Sequence, residues 1–369
     1  MTTPLKRASG FSLVELMIAM VLGVVIVGGC ISIFSGVVRS SSLNQAVSNL
    51  QSNARFALDI IGHDVRAAGF LGCAAERNVG LNVTVNDPPT TDLSRSAVAG
   101  FVVTDTVWQP QFPQAYTAPL GVGRPVPGTH ALSVHYADFP GLELNESMSV
   151  SRDSMELKRR EDRRLVDGQL MVVSDCNSAD LFSIANVARA ADTVTLVSAE
   201  PLQKSYALST VFPGAVRAMP FVSTIYYIGD TQRTTELGDD VYSLYAHSYP
   251  YTAQNPPLEL IEGVDQLALE FGVRQADGSL LYATADSADY QPEGVETVRV
   301  GMLLSSIRRF SEADTSRAYT LAGLTVIADS VTPDSEGAAG GAAQVLTYPN
   351  NERLRIPFNA TFNVRNRNI

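Results

Sequence analysis

Arg7-Ala8-Ser9-Gly10-Phe11-Ser12-Leu13-Val14-Glu15-Leu16-Met17-Ile18 opens a long apolar run near the start of the chain. The run extends from Phe11 to Val38, and Glu15 is its only charged residue. It is longer than the about 20 apolar residues that a helix needs to cross a bilayer. Lys6 and Arg7 lie just before it, and basic residues beside a membrane segment favour the cytoplasmic side. The sequence therefore predicts one membrane-spanning helix, with the rest of the chain outside the cytoplasm.

Glu15 is the most informative residue of the run, because an ionisable side chain inside a membrane segment is costly and normally has a designated partner. Such a partner would arise if the chain were cut after Gly10. The cut would leave an α-amine on Phe11, four residues before Glu15 and at the start of the helix. The helix dipole disfavours a positive charge and favours a carboxylate at that end. Glu15 would then neutralise its own chain's amine or that of a neighbour.

The leader and the start of the run resemble the class III signal of type IV prepilins and pseudopilins: a short basic leader, Gly10, Phe11, and a glutamate at the fifth mature position. The resemblance implies cleavage between Gly10 and Phe11 by prepilin peptidase, N-methylation of Phe11, and docking of subunits through Glu15. Two alternatives are an uncleaved single-pass anchor and an ordinary secretory signal cut near Gly28-Gly29-Cys30-Ile31. Both would make the Gly-Phe-x-x-x-Glu arrangement accidental, so we favour the prepilin interpretation.

Composition limits the functions open to the rest of the chain. The 369 residues are 45% hydrophobic and 18% charged, which is ordinary for a globular protein, and the net charge is −11. About 300 residues after the helix suffice for one large domain or two small ones. The acidic balance disfavours bulk nucleic-acid binding, since phosphate backbones carry the same sign.

The three cysteines separate by location. Cys30 lies inside the membrane run, where we expect it to pack against lipid or neighbouring helices, while Cys73 and Cys176 lie in the exported part. Two exported thiols tend to pair in an oxidising compartment. We therefore predict a Cys73–Cys176 disulfide, with two buried free thiols as the alternative.

Beyond Arg39 the helix pattern continues as an amphipathic stripe. Apolar residues recur at spacings of three and four: Leu43, Val47, Leu50, Ala54, Leu58, Ile61, Val65 and Ala68. The polar residues between them predict a solvent-facing side of the helix, the polar back: Asn44, Gln45, Asn49, Gln51, Asn53, Arg55, Asp59 and Asp64. Arg66 and Gly69 predict the helix end. The stripe would suit a coiled-coil stalk, but we favour packing on a sheet because strand patterns follow it.

Nine short runs rich in Val, Ile, Tyr or Phe predict strands: 81–85, 100–107, 131–136, 169–173, 193–197, 221–228, 266–273, 295–304 and 354–364. Ala276-Asp277-Gly278-Ser279 predicts a hairpin turn. In the last run the apolar residues Leu354, Ile356, Phe358, Ala360, Phe362 and Val364 alternate with other residues, which predicts one buried face and one wet face. A helix followed by many strands predicts an α+β fold with the helix across an antiparallel sheet.

Five further blocks stand out along the chain: Asp64 to Cys73, Ile225 to Ile228, Leu260 to Val264, Val298 to Leu304, and Phe362 to Arg367. They resemble the PilW family of minor type IV pilins and follow the family's order. The resemblance implies a type IV pilin-like fold in which a long N-terminal helix, transmembrane and then amphipathic, packs on an antiparallel β-sheet with large β-rich elaborations. A Gly/Ala-rich insertion at residues 334–344 departs from the family pattern and leaves the local strand order open.

The same resemblance implies a domain order and a set of partners. Residues 1–10 would be the leader, 11–38 the transmembrane and filament-core half of the helix, 39–68 its amphipathic half, and 69–369 the exported globular domain. The chain would be a low-abundance subunit that primes pilus assembly. It would begin as an inner-membrane protein with a periplasmic domain and end at the pilus tip on the cell surface. Implied partners are other minor pilins, the major pilin, prepilin peptidase, the inner-membrane assembly platform and a large tip adhesin.

The sequence gives no sign of an enzyme, a cofactor or a metal site. There is no His-Glu-x-x-His, Gly-x-Ser-x-Gly or Walker motif. His63, His130, His135 and His247 are scattered, and we expect them in the core or on the surface. The Gly121–Gly128 stretch predicts a surface loop rather than a phosphate loop. Glu236 with Asp239 and Asp240 predicts a solvated acidic turn rather than a calcium site. The basic run of Lys158, Arg159, Arg160, Arg163 and Arg164 predicts a solvated hairpin tip.

Two alternative functions remain open at this point. The first is a minor pseudopilin of type II secretion, whose J-type subunit resembles this chain but is usually shorter. The second is a tip adhesin or binding module for surfaces, sugars or DNA. Stacking would then be supplied by Trp108, Tyr116, Tyr226, Tyr227, Tyr245, Tyr249 and Tyr251, although aromatic residues in strands are usually core.

Overall fold

The regular elements in the described part of the chain are one long helix, twenty strands and a short 3-10 helix, Pro292–Gly294. The structure, a computed structural model, describes residues 12–73, 80–86, 88–89, 93, 96–104, 108–110, 121–159, 165–208, 214–252, 254–310, 317–329 and 345–366. The chain divides into two compact units, Met1–Gln51 and Ser52–Ile369. The boundary between them falls within the helix.

Helix α1 runs without interruption from Leu13 to Ala67, close to the prediction of Phe11 to Ala68. Phe11 itself lies outside the described residues. In the second unit most of the predicted stripe is buried: Ala54, Ile61, Val65 and Ala68 are fully inaccessible, and Leu58 is half-buried. Ala57, which was not part of the predicted stripe, is also inaccessible, whereas Leu43 in the first unit is exposed. Small residues at several of these positions let the helix backbone approach the strands closely.

The strands, in chain order, are β1 (Leu81–Val83), β2 (Val98–Val103), β3 (Trp108–Gln109), β4 (Arg124–Pro125), β5 (His130–Ala137), β6 (Leu142–Glu143), β7 (Ser154–Lys158), β8 (Leu170–Asp175), β9 (Ser178–Arg189), β10 (Thr193–Ser198), β11 (Arg217–Thr234), β12 (Asp240–Ser248), β13 (Leu258–Glu262), β14 (Val264–Arg274), β15 (Leu280–Ala283), β16 (Val295–Arg309), β17 (Tyr319–Leu321), β18 (Leu324–Ala328), β19 (Leu346–Tyr348) and β20 (Arg353–Asn363). Each of the nine predicted runs overlaps one of them. The predicted α+β class with a mainly antiparallel sheet is confirmed.

Strands β1 to β13 belong to one sheet, whose central path is β3-β2-β5-β11-β8-β9-β10-β7. Strand β11 is the central strand of this sheet. Its N-terminal end pairs with β8 and β6, and the rest of the strand pairs with β5 and β12. Not every pair is antiparallel, because β1 runs parallel to β9 and β18 parallel to β19.

Six strands of this sheet close into a ring that we call the small barrel. Strand β11 pairs with β8, β8 with β9, β9 with β10, and β10 with β7. Strand β6 pairs with β11, and the bridge between Leu144 and Leu157 joins its end to β7. Buried apolar side chains form its core, among them Leu157, Phe182 and Leu196. Closure leaves these strands without a long free edge.

The remaining strands form two further sheets. The order β15-β14-β16-β20 gives a four-stranded antiparallel sheet, and the predicted hairpin turn joins β14 to β15, with Arg274 opposite Leu280. Strands β17, β18 and β19 form a small third sheet. It packs over Ala268 and Leu303 of the four-stranded sheet.

Candidate functional site

The start of helix α1 is closed by a reciprocal pair of hydrogen bonds. The backbone N–H of Ser12 donates to the Glu15 carboxylate at 3.1 Å, and the Ser12 hydroxyl accepts from the N–H of Val14 at 3.3 Å. This arrangement is a variant of the capping box, in which a serine and a glutamate three residues later satisfy the free N–H groups of a helix end. Glu15 therefore caps its own helix in the isolated chain. Gly10 and Phe11, the predicted cleavage and methylation sites, lie outside the described residues.

The first half of the helix presents apolar side chains on all its sides. Leu13 is 76% exposed, Val24 72% and Phe34 70%, and Cys30 is an exposed free thiol among them. The polar group of Ser35 is satisfied internally, because its hydroxyl donates to the carbonyl of Ile31 at 2.8 Å. The segment is long and apolar enough to cross a membrane. So much exposed apolar surface is stable only in lipid or among other helices.

Asp64 anchors the second half of the helix to the large sheet. The hydroxyl of Tyr136 on β5 donates to its carboxylate at 2.9 Å, and that of Tyr226 on β11 donates at 2.6 Å. Asp64 is only 8% exposed, so its assignment to the polar back of the helix was wrong. Burial and the adjacent carboxylate both raise the pKa of the Tyr226 hydroxyl, which stays protonated as a donor.

A second contact joins the helix to the last strand. A Cβ added at Gly62 would lie 2.5 Å from the ring of Phe362 on β20, so only glycine permits this approach. The guanidinium of Arg66 lies 5.1 Å from the centre of the same ring, a distance at which a cation is attracted to an aromatic face.

The end of the helix is closed by residues that are distant in sequence. Gly69 has a φ of +77°, as is common after a helix, and its N–H donates to the carbonyl of His135 at 3.0 Å. The side-chain amide of Asn366 lies 3.4 Å from the carbonyl oxygens of Arg66, Ala67 and Ala68. The C-terminal segment thus satisfies carbonyl groups that the helix leaves free.

The predicted disulfide between Cys73 and Cys176 is present, with 4.7 Å between the two Cα atoms. It connects the segment after the helix to the turn between β8 and β9, and so to the small barrel. Asp175, the last residue of β8 before this turn, forms an ion pair with Lys204.

A buried ionic cluster was missed by the sequence analysis. Asp265 on β14 is inaccessible and accepts from the Nε of Arg355 at 2.7 Å and from the Ser305 hydroxyl at 2.7 Å, while Arg353 lies 3.6 Å away. Burial lowers the pKa of the Arg353 guanidinium. The predicted division of β20 into a buried apolar face and a wet face is therefore wrong at this end. Arg353 and Arg355 are buried, and Leu354 and Ile356 are half-buried.

The four histidines considered as candidate site residues are held in the fold or lie at the surface. His130, His135 and His247 are buried and His63 is exposed. Burial lowers the pKa of His135 to about 4. The His130 ring accepts from the N–H of Leu269 at 2.9 Å. Within the described residues no group of His, Cys, Asp or Glu is arranged to hold a metal ion.

The acidic turn and the Gly121–Gly128 stretch also have structural explanations. The turn is not simply solvated, because the Arg309 guanidinium donates two hydrogen bonds to Asp239 and holds the pKa of that carboxyl below its usual range. At Gly121, the carbonyl accepts from the N–H of Arg124 at 3.0 Å. The stretch contains β4 and is followed by strand β5 rather than by a helix.

Five of the aromatic residues considered for stacking lie in the core, and Tyr249 is half-buried against it. Trp108, Tyr226, Tyr227, Tyr245 and Tyr251 are all less than 9% exposed, and Trp108, Tyr227 and Tyr245 share one apolar cluster. Tyr116 lies outside the described residues, as do Arg160, Arg163 and Arg164 of the basic run. Among the described members of that run, Lys158 pairs with Glu143 at 3.2 Å and Arg159 donates to the carbonyl of Ala190 at 3.0 Å.

Two family models match the chain. Residues 5–31 match the prokaryotic N-terminal methylation motif, which contains the capped helix start and most of the exposed apolar segment. Residues 225–366 match PilW, described as type IV pilus-assembly protein W, and this part extends from β11 through the end of β20. No curated protein and no solved structure matches the chain. The small barrel lies largely outside both matched regions.

Proposed function

We propose that this chain, a PilW-like type IV pilin that takes part in pilus assembly, sits at or near the pilus tip in a complex with other minor pilins. It would be cut between Gly10 and Phe11, methylated on Phe11, and inserted among like helices through its apolar segment. The major pilin, the inner-membrane assembly platform and a large tip adhesin complete the proposed set of partners. The proposed path leads from the inner membrane, with a periplasmic domain, to the cell surface.

The observation that carries the proposal is the exposed apolar helix attached to a well-packed β-rich unit. No residue from Leu13 to Val38 is buried, whereas the second unit has continuous apolar cores. Gly23, Gly28, Gly29 and Gly36 have no atom within 4 Å of an added Cβ. Small residues on such a surface let a second helix approach closely in the membrane. Lipid would cover the segment before assembly, and helices of other pilins would cover it afterwards.

Glu15 would have two successive partners in this process. Its carboxylate already reaches the N–H of Ser12, which is the peptide nitrogen directly after Phe11. The α-amine created by cleavage would therefore lie one residue from a bound carboxylate. In the filament the same carboxylate would meet the amine of an adjacent subunit, which gives insertion a defined axial position.

The charge of Glu15 can be separated experimentally from its capping role. Glutamine can replace glutamate in a capping box, so Glu15→Gln keeps the cap and removes the charge. Ser12→Ala removes the serine half of the box and keeps the charge. We expect Glu15→Gln to reduce incorporation into sheared pili at least tenfold and Ser12→Ala to leave it within twofold. Equal incorporation of Glu15→Gln and the parent, at equal membrane levels, would show that Glu15 is only a helix cap.

The processing step has its own measurement. Mass analysis of the protein from pili should find a chain that begins at N-methylated Phe11. A chain that begins at any other residue contradicts the proposed cleavage.

Placement at the tip requires two further experiments. Deletion of the gene should abolish or sharply reduce surface pili and twitching, and gold-labelled antibody should mark filament ends rather than shafts. Purification of the full chain in detergent should recover other minor pilins with it. Normal piliation in the deletion strain, or label spread evenly along the filaments, would contradict the proposed role.

A further inference from the structure

Three Asn-Xaa-Ser/Thr tripeptides occur in the chain, at Asn82, Asn145 and Asn359. This tripeptide is the acceptor sequence for N-linked glycans in exported proteins, and it is used where it lies in an accessible surface loop. The three asparagines differ sharply in their surroundings, so the structure can rank them.

Asn82 and Asn359 are both held by the fold. The side-chain amide of Asn82 donates at 2.6 Å to Asp180, which is completely buried. Asn359 lies within β20, where its side-chain oxygen accepts from the N–H of Ala322 at 2.7 Å and its amide donates to the carbonyl of Thr320 at 3.2 Å. Modification of either amide would break contacts between separate strands.

Asn145 lies in a loop of the small barrel, between β6 and β7. Asn145, Glu146 and Ser147 are all exposed, and Val150 a few residues later is 95% exposed. The amide of Asn145 has one protein acceptor in the described structure, the carboxylate of Glu156 at 2.5 Å, and both groups are at the surface. Water can replace this contact, because both groups already face solvent.

The sequence before Asn145 adds a second distinguishing feature. Glu143 stands two residues earlier, where its carboxylate offers a transferase a charged group to bind beside the tripeptide, whereas the uncharged Gly80 and Pro357 occupy that place before the other two asparagines. The Glu143 side chain is 34% exposed, and it pairs with Lys158 at 3.2 Å and Arg217 at 2.8 Å. Both partners are themselves partly exposed, so a basic group of an enzyme can compete with them for the carboxylate.

We propose that Asn145 is an N-glycan acceptor. The donor class is an oligosaccharide joined to a membrane lipid through pyrophosphate. The side-chain nitrogen of Asn145 forms a bond to the anomeric carbon of the sugar, the bond from that carbon to the pyrophosphate oxygen breaks, and the amide loses one proton. The lipid pyrophosphate leaves, and no oxidation or reduction takes place. The proposal rests on the exported location in the proposed function, because the acceptor loop must meet the donor outside the cytoplasm.

The test is peptide mass spectrometry of the full chain purified from its source organism. We expect the peptide that contains Asn145 to carry a glycan, and the peptides that contain Asn82 and Asn359 to be unmodified. An unmodified Asn145 peptide from the exported chain overturns the proposal.

Three variants test the assignment of the signal. Ser147→Ala and Glu143→Gln should each lower the modified fraction of Asn145 at least tenfold, while the matched exposed variant Glu146→Gln should leave it unchanged. A glycan that persists in Ser147→Ala would belong to a different chemistry and would also overturn the proposal. The parent chain gives a result even if a variant fails to fold. The outcome is independent of the pilus experiments, because an anchored chain that never enters pili can still be modified, and a chain found in pili can be bare.

Discussion

The Asp64 anchor gives the sharpest test of how the helix is fixed to the sheet, and the perturbation is Asp64→Ala. The carboxylate accepts from Tyr226 at 2.6 Å and from Tyr136 at 2.9 Å, and hydrogen bonds to charged groups contribute about 1.5–3 kcal/mol each. Tyr226 is 2% exposed, so its hydroxyl would be left without a partner. Tyr136 is half-buried, and water can replace its lost contact. We expect Asp64→Ala to lower the free energy of unfolding by about 3 kcal/mol.

A double-mutant cycle separates the anchor from general packing. Tyr226→Phe alone should destabilise by about 1–2 kcal/mol, because Asp64 keeps the Tyr136 donor. In the Asp64→Ala background the same change should cost less than about 0.5 kcal/mol or should stabilise, since it removes the unsatisfied hydroxyl. The resulting coupling of at least about 1 kcal/mol is typical of residues in direct contact.

Urea unfolding of the full chain in detergent is a suitable assay, followed by the fluorescence of the single tryptophan. Trp108 packs beside Tyr227 in the large sheet, with 5.9 Å between the ring centres. Asp59→Ala is the matched control, because Asp59 is an exposed acid on the same helix and should change stability by less than about 0.5 kcal/mol. An Asp64→Ala variant as stable as Asp59→Ala, or a cycle without coupling, would refute the reasoning.

Three further predictions concern other contacts of the same unit. Burial lowers the pKa of His135 from 6.5 to about 4, so the stability contributed by its neutral ring is complete above pH 6.5 and is lost as the pH falls towards 4. His135→Gln should therefore reduce the fall of the free energy of unfolding in that window, by about 3 kcal/mol at most. Urea unfolding at several pH values measures this, and an unchanged pH profile would contradict it. Asn366→Asp should destabilise the protein by about 1–2 kcal/mol in thermal unfolding, and by more than Asn366→Ala does, because the aspartate places a negative charge at the carbonyl end of the helix. A larger loss of stability in Asn366→Ala would contradict the role of Asn366 as a helix cap. Replacement of Cys73 and Cys176 together by serine should lower the free energy of unfolding, measured in urea, by about 4–5 kcal/mol, because the two cysteines are 103 residues apart. A loss below about 1 kcal/mol would show that the disulfide constrains the unfolded chain little.

The features predicted correctly from the sequence are those carried by local patterns. The apolar run with Glu15, the buried helix stripe and the nine strand runs each depend on a period that is visible within a short window. The Cys73–Cys176 pair was predictable because only two cysteines lie outside the membrane run. Cleavage at Gly10, methylation of Phe11 and docking through Glu15 remain predictions.

The features that were missed depend on partners distant in the chain. Asp64 fits the polar side of the helix, and its two donors lie 72 and 162 residues later. Arg355 occupies a polar position in an alternating strand, and its partner Asp265 is 90 residues earlier. Strand β9 was missed because its alternation is interrupted by polar and small residues. Closure of the small barrel depends on pairings that no local pattern encodes.

The contact between Asn366 and the end of α1 has a practical consequence for labelling this protein. Asn366 lies beside the last carbonyl groups of helix α1, so a fluorescent protein or affinity tag joined directly after Asn366 would be attached next to the end of the helix. A reporter inserted there would compete for the carbonyl groups of the last helical turn. The exposed turn around Gly278 offers an attachment point remote in sequence from that cap.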